Sequence, residues 1–454
     1  MDNAERLGTQ NIGKLLFKLS MPSILGMLAI TIYNLADTIF VGRGVGTLGI
    51  AGVSVSLPFL MTVTNFGLAI GIGGASIISR ALGAKDMAKA TEVLNNLFKL
   101  VLVLNIVLIL LAYIFIEPLL VLFGANSEIL PYAKEYSSYA LIGSFFMNII
   151  NLNANIIRAE GNAKFVMFVQ TFAAVLNLII DPIFIFELNM GIKGAAIATS
   201  LSQALGAIMS IWYFYRAKAR VLSMKGLSFL APLNKVYVKE TFAIGASSFA
   251  RHIANSLMNI VLFNLLIQYS GSTAVAAFGV IFRLLMFTFM PLFGINQGFM
   301  PIAGYNYGAG SLKRVLTSIR VANLTATLVS ILSFVVMVVF AKQLMSIFST
   351  DQELIDIGTH AIRIVVIAFP VIGFQIIGSG LYQALGKARG AIVLALARQV
   401  LFLIPFVILF PLAWDITGIW AAFPAADFFA AGLTLVMVLI QIRNLKREKA
   451  ALQL

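Results

Sequence analysis

The chain has 454 residues, 60% of them apolar and only 11% charged, with a net charge of +14; an average soluble domain carries about 25% charged residues. A soluble protein of this length has too little interior to hide so much apolar surface, and the long unbroken apolar runs exclude a β-barrel, whose strands alternate. With no Cys and only two His, His252 and His360, disulfides, thiolate chemistry and His-rich metal centres are excluded too.

At about 20 apolar residues per crossing, the chain reads as an all-α polytopic membrane protein with twelve spans. They fall at 17–41, 50–79, 96–123, 137–157, 165–186, 192–215, 241–268, 275–304, 319–345, 361–383, 391–413 and 417–442. Met1–Gly13 is polar and the first apolar run contains Asp37 without a small-residue cleavage site, so that run is expected to remain as a span rather than act as a signal peptide. Connections are short. The longest, Arg216–Glu240, is the one polar stretch of linker length.

Lys and Arg set the orientation. With the N-terminus inside, the loops predicted to be cytoplasmic hold most of the 32 Lys and Arg, whereas the outer loops hold Arg43, Lys134, Lys193 and Lys342. Both termini are therefore expected in the cytoplasm, with the chain a multi-pass protein of the cell membrane. The same bias accounts for the positive charge without nucleic acid.

A shift of 225 residues overlays the chain on itself. Phe17 falls on Phe242, Asn34 on Asn259, Gly46-Thr47 on Gly271-Ser272, Gly83-Ala84 on Gly308-Ala309 and Gly161 on Gly386. Near the end the offset slips, and Pro182 matches Pro405. The expected organisation is an N-terminal lobe of six helices over 1–216, a cytoplasmic linker over 217–240 and a C-terminal lobe of six over 241–454. An even helix count returns the second half to the same side. The lobes then form a parallel repeat about the membrane normal, with a cavity expected where they face each other.

Acids inside a membrane are rare, costing about 2.5–3.5 kcal/mol at the bilayer centre on insertion scales, and they mark functional sites by default. Three lie deep in spans: Asp37, Asp181 and Asp427. Counting about 1.5 Å per residue, Asp37 on the first helix, Asp181 on the fifth and Thr199 on the sixth share one level in the outer half. Asn177 precedes Asp181 by one turn and points the same way. Pro182 deprives the Leu178 carbonyl of its helical donor and leaves a spare oxygen beside the acid. Two carboxylates, an amide, a hydroxyl and a loose carbonyl make a donor set for a proton or a sodium ion. The repeat places Leu262, Ile404 and Val400 opposite Asp37, Asp181 and Asn177, so the set belongs to one lobe. The plainer alternative is a polar pair that only pins helices together.

The second half has the opposite character. Arg251, Arg283 and Arg398 fall within spans, and Asp427 is the one deep acid to meet them. Either an ion pair fixes this bundle or the group forms a polar wall of a substrate cavity. Gly67-x-x-x-Gly71 lies in an apolar span with no preceding strand, so it reads as close helix packing and not as a phosphate loop. No nucleophile elbow, Walker loop or HExxH is present, and the chain is read as no enzyme, with no cofactor and no metal.

Several segments together resemble the multidrug and toxic compound extrusion (MATE) family of the MOP superfamily. They are Asn34-Leu-Ala-Asp-Thr-Ile-Phe-Val-Gly42, Ser79-Arg-Ala-Leu-Gly-Ala-Lys-Asp86, Leu176-Asn-Leu-Ile-Ile-Asp-Pro-Ile-Phe-Ile-Phe186, Phe282-Arg283 and Pro301-Ile-Ala-Gly-Tyr-Asn306. The last two resemble its MepA-like branch. The resemblance covers nearly the whole chain. It implies a twelve-helix antiporter that exports amphipathic, often cationic, organic compounds across the bilayer against protons or sodium; the chain is expected to act as a monomer. It also implies a cation site of Asp37, Asn177, Asp181 and Thr199, joined by Asn153 and by either Tyr136 or Tyr139. In the NorM-like branch, acids of the C-terminal lobe take part as well. Here the seventh helix carries Arg251 instead, and the tenth has no acid within its apolar run. A flippase for an anionic lipid-linked substrate is the competing reading, since the intramembrane arginines suit a phosphate.

Overall fold

A computed structural model describes residues 3–215, 222–223 and 232–451. Most of the 217–240 linker lies outside the described residues, along with Arg216, Lys218, Arg220 and Lys225. No strand occurs among the described residues, and twelve helices are long and apolar enough to cross a membrane. They are α1 (Ile12–Gly44), α2 (Thr47–Gly83), α3 (Met87–Ile114), α4 (Leu130–Ala159), α5 (Ala163–Glu187) and α6 (Gly191–Tyr215), then α7 (Lys235–Gly271), α8 (Thr273–Gly308), α9 (Leu312–Val339), α10 (Gln352–Ala384), α11 (Ala388–Leu409) and α12 (Pro411–Glu448).

Local chemistry sets the ends of these helices. The Asp86 side chain accepts from Lys89 N at 3.0 Å and starts α3. Asn162 accepts from Phe165 N at 3.3 Å and starts α5. Such caps satisfy backbone donors that the first turn leaves free.

The repeat is written in the backbone. Gly46 and Gly271, 225 residues apart, open α2 and α8 at φ 89° and 70°, a conformation in which a Cβ is strained. Lys85 and Gly310, at the same offset, both take positive φ, as do Gly161 and Gly386. Phe115 and Phe340, again at that offset, break their helices at φ/ψ of −105°/21° and −100°/18°. That break shortens two predicted spans. The run read at 96–123 is α3 followed by a separate short helix, Ile116–Leu122, and the run read at 319–345 is α9 followed by Ala341–Ser346. Apolar periodicity continues across both breaks, so hydropathy alone joined them.

The chain clusters into two compact units. Unit 1 comprises Met1–Thr9 and Met21–Gly245. Within it α2 packs along α4, and α4 along α6. Gly67 seats the first contact: its N–H donates to Asn148 Oδ1 at 2.9 Å, and an added Cβ would lie 2.6 Å from Asn148 Cα. The Gly67-x-x-x-Gly71 pattern is thus helix packing. The first turns of α7 belong to this unit, where Arg80 pairs with Glu240 at 2.7 Å. The backbone of Leu222 is tied in as well, donating to Glu160 Oε1 at 2.8 Å.

Unit 2 comprises Gln10–Ser20 and Ala246–Leu454. In it α9 packs on α10 and α11 on α12. The first turns of α1 belong here, and Arg314 Nη2 donates to Gln10 O at 2.7 Å. Two π-helical segments interrupt corresponding helices, Ile183–Glu187 directly after Pro182 in α5 and Ala397–Leu403 just before Pro405 in α11. Single-turn π segments widen a helix and re-aim its side chains.

Candidate functional site

The site in unit 1 is built by α1, α5 and α6, with α4 behind them. Asp37 and Asp181 are both buried, at 8% and 0% exposure, and their carboxyl groups are within hydrogen-bonding reach of each other. Among the described residues no Lys, Arg or His pairs with either acid. Asn177 Nδ2 bridges the remaining donors, giving to Thr199 Oγ1 at 3.2 Å and to Asp181 Oδ1 at 3.5 Å. Three side-chain oxygens, Asp37 Oδ1, Asp181 Oδ2 and Asn177 Oδ1, are buried and have no hydrogen-bond donor among the described residues. Carboxylate and amide oxygens only accept, so this cluster is a set of hard oxygen ligands. That chemistry suits a proton or an alkali cation.

The sequence missed two members. Tyr33 lies one turn before Asp37, and it shares a cavity with Gln203, one turn after Thr199. Both line a cavity with Asn177, Thr199, Met147 and Gln170. The four-residue spacing that joins Asn177 to Asp181 also reaches Tyr33 from Asp37 and Gln203 from Thr199, so the signal was present.

Of the two tyrosines left open, Tyr136 is 4% exposed and stands in the field of Asp37, Tyr33 and Asp181. Tyr139 faces elsewhere: Lys193 Nζ lies 5.1 Å from its ring centroid, and its carbonyl accepts from Ser200 at 2.8 Å. Asn153 is buried, but its amide donates to Ser210 at 2.8 Å and it does not line the cavity. Met147 and Ile150 present the lining face of α4, and Asn151, one turn after Met147, lies on that side of the helix. Asn153 is two residues further round, which turns it toward α6.

Unit 2 shows a different arrangement. Arg398 sits in the π segment of α11 and meets Asp427 of α12 with both arms, Nε to Oδ1 at 2.5 Å and Nη2 to Oδ2 at 3.2 Å. Its guanidinium also lies 5.6 Å from the Phe289 ring centroid. Gln375 Nε2 donates to the Asp427 carbonyl at 2.8 Å. The other two arginines stay out of this pair. Arg251 donates to Ser379 Oγ at 2.8 Å, and the Arg283 side chain is exposed. Among the described residues no group of three or more metal-ligating side chains occurs.

The family described as MatE matches the chain twice, over residues 22–183 and 248–409. The multidrug export protein MepA of Staphylococcus saprophyticus is 29% identical over 434 residues, covering 95% of each chain. That of Staphylococcus aureus strain MRSA252 is 27% identical over 433 residues, covering 95% of this chain and 94% of the other. A solved structure described as the outward-facing conformation of a multidrug resistance MATE family transporter superimposes with a TM-score of 0.91 at 25% identity, over 98% of this chain and 99% of that one.

Proposed function

The chain belongs to the MatE family of multidrug efflux transporters, and from that premise we propose that it works as a secondary antiporter. Hydrophobic, cationic organic compounds leave by alternating access while protons or sodium ions enter. Asp37, Asn177, Asp181 and Thr199 hold the coupling ion, with Tyr136, Tyr33 and Gln203 around them. The observation that carries this reading is the approach of two buried carboxyl groups that have no basic partner among the described residues. Such a pair needs a positive charge between the oxygens, a proton or a metal cation. When that charge arrives or leaves, the hydrogen bonds through Asn177 must rearrange. Asp181 is followed directly by Pro182 and the π segment, where α5 lacks a backbone hydrogen bond and deforms at low cost. A coupling ion drives a cycle only through such differential interaction with two conformations.

The paired Arg398 and Asp427 are read as fixing unit 2, since each charge is already met. We read the protein as a monomer of the cell membrane, and the positive-inside bias of its loops supports cytoplasmic termini. Reconstitution into liposomes, with a pH gradient and a sodium gradient imposed separately, tests the proposal. Dye export driven by one or both gradients supports it. Export indifferent to both removes it.

A further inference from the structure

The breaks at Phe115 and Phe340 leave a short helix after α3 and another after α9, Ile116–Leu122 in unit 1 and Ala341–Ser346 in unit 2. Neither belongs to one of the twelve spans, and each is docked by one face. Ile116 and Leu120 are buried in a core they share with Val53 and Tyr136. Ala341 and Met345 are buried in unit 2, where Met345 approaches α10 so closely that Gly358 has no room for a Cβ. The docked residues are repeat-related, since Ile116 falls on Ala341 and Leu120 on Met345.

The opposite face is bare. Leu122 and Ile347 are 77% and 74% exposed, among the most exposed large apolar side chains of the described residues, and they occupy one repeat position. Phe123 falls on Phe348 and Phe115 on Phe340, and all four are exposed. The charge between them does not follow the repeat, being Glu117 in one unit and Lys342 in the other. A face that packs on nothing has no internal reason to stay apolar, and in water its cost grows with its area. Both copies keep large apolar groups here while the neighbouring charge changes sign, so the common factor is an apolar surrounding outside the fold. The lipid-facing sides of α3 and α9 lead into it, with exposed apolar side chains running from Leu110 and Ile114 to Phe115, and from Val335 and Val339 to Phe340. Each of the two helices has 28 residues, roughly 42 Å at about 1.5 Å per residue, the thickness of a bilayer with its headgroup regions. The chain turns polar only beyond the short helices, at 126–128 and 349–353.

We propose that the two short helices are interfacial segments whose bare faces, Leu122 with Phe123 and Ile347 with Phe348, seat in the lipid surface where headgroups meet acyl chains. The partner is the bilayer itself, in the leaflet that the positive-inside bias makes the outer one. The choice of leaflet rests on the orientation reading; the seat in lipid does not. Each unit thereby carries its own depth anchor, tied to its core by Leu120 or Met345, and the connections after α3 and α9 return to lipid instead of looping into water.

Depth-resolved fluorescence quenching of the full-length protein in phosphatidylcholine liposomes tests this. The chain has no Cys, so Leu122→Cys and Ile347→Cys each take a single bimane label at an exposed site. Ser127→Cys in the polar turn is the water reference, and Leu324→Cys, exposed near the middle of α9, is the acyl-chain reference. The labels at 122 and 347 are expected to be quenched about twofold more by lipid brominated at carbons 6 and 7 than by lipid brominated at 11 and 12, as for a face buried only roughly 5–10 Å. Aqueous iodide quenches them about threefold less than the label at 127, and the label at 324 reverses the bromolipid order. Iodide quenching equal to that at 127, with no bromolipid effect, overturns the lipid seat. Strongest quenching by the deeper bromine overturns it too, since the segments would then be parts of spans. Shielding from both quenchers overturns it in favour of a protein partner, a second copy of this chain included. Reaction of Ser127→Cys and Lys446→Cys with an impermeant maleimide from the same face of the vesicle would instead overturn the orientation reading and leave the lipid seat standing.

Discussion

The two units share a backbone and differ in how they treat charge. α5 and α11 are repeat-related, each has a proline, and each has a π segment beside it. In α5 the residue before the proline is Asp181, which lies within hydrogen-bonding reach of a second acid and meets no base among the described residues. In α11 the π segment carries Arg398, which meets Asp427 with two arms. A buried acid pair without a counter-charge is open to an ion. A buried bidentate ion pair is closed to one and resists removal of either partner. A related distortion, placed after the proline in α5 and before it in α11, therefore accompanies an acid pair in unit 1 and a completed ion pair in unit 2.

The sharpest way to break this comparison is at the acids. Asp37→Asn and Asp181→Asn keep side-chain shape, so each protein is expected to fold, while gradient-driven dye export falls by about a hundredfold or more, as for a group acting directly in the step. Near-normal export by both variants, with unchanged ion dependence, would move the coupling site out of unit 1. Asp427→Asn is expected to do the reverse. It costs about 3–5 kcal/mol, the penalty for leaving a buried partner charge alone, read as a fall in melting temperature and yield. The surviving protein keeps its export rate. The double change Arg398→Met with Asp427→Leu should recover most of that stability, because apolar groups of similar volume often replace a buried pair without loss. Lost transport with normal stability would make the pair functional.

Smaller effects sharpen the picture. Tyr136→Phe removes a hydroxyl beside the acids and is expected to change the ion concentration for half-maximal export by about fivefold, whereas Tyr139→Phe leaves it unchanged. Gly73→Ala and Gly298→Ala probe what the units share, since these repeat-related glycines each face another helix. An added Cβ would lie 2.2 Å from Thr241 O in unit 1 and 2.4 Å from Ser20 Oγ in unit 2. Both should destabilise by about 1–3 kcal/mol, the usual cost of overpacking, in thermal melts. A large loss at one glycine and none at the other would show that the shared backbone is not held alike.

Much of this was legible beforehand because membranes simplify the code. Span length and the 225-residue repeat each depend on composition or spacing, and the helices follow them. The Asn177 and Asp181 relation was readable because both lie on one helix one turn apart. Asp37 and Thr199 were readable only as residues at a common depth. Their contact needed α1, α5 and α6 packed together. Asn153 came from the resemblance alone, which carries no helix rotation, and in the structure its amide turns to Ser210.

The amino-acid sequence by itself determined twelve apolar helices, their doubling and the presence of three deep acids and three deep arginines, because hydropathy and charge act residue by residue. Tertiary structure alone decided the partners. It gave Asp427 to Arg398 and left Arg251 with a hydroxyl, it set Tyr136 near the acids and Tyr139 against Lys193, and it broke α3 and α9 at Phe115 and Phe340. It also assigned the first turns of α1 and α7 to the unit that does not hold the rest of each helix. The physical reason is common to all of these. Which side chain meets which charge depends on the rotation and close approach of neighbouring helices, set by contacts such as Gly67 on Asn148, and no periodicity within one helix encodes the rotation of another.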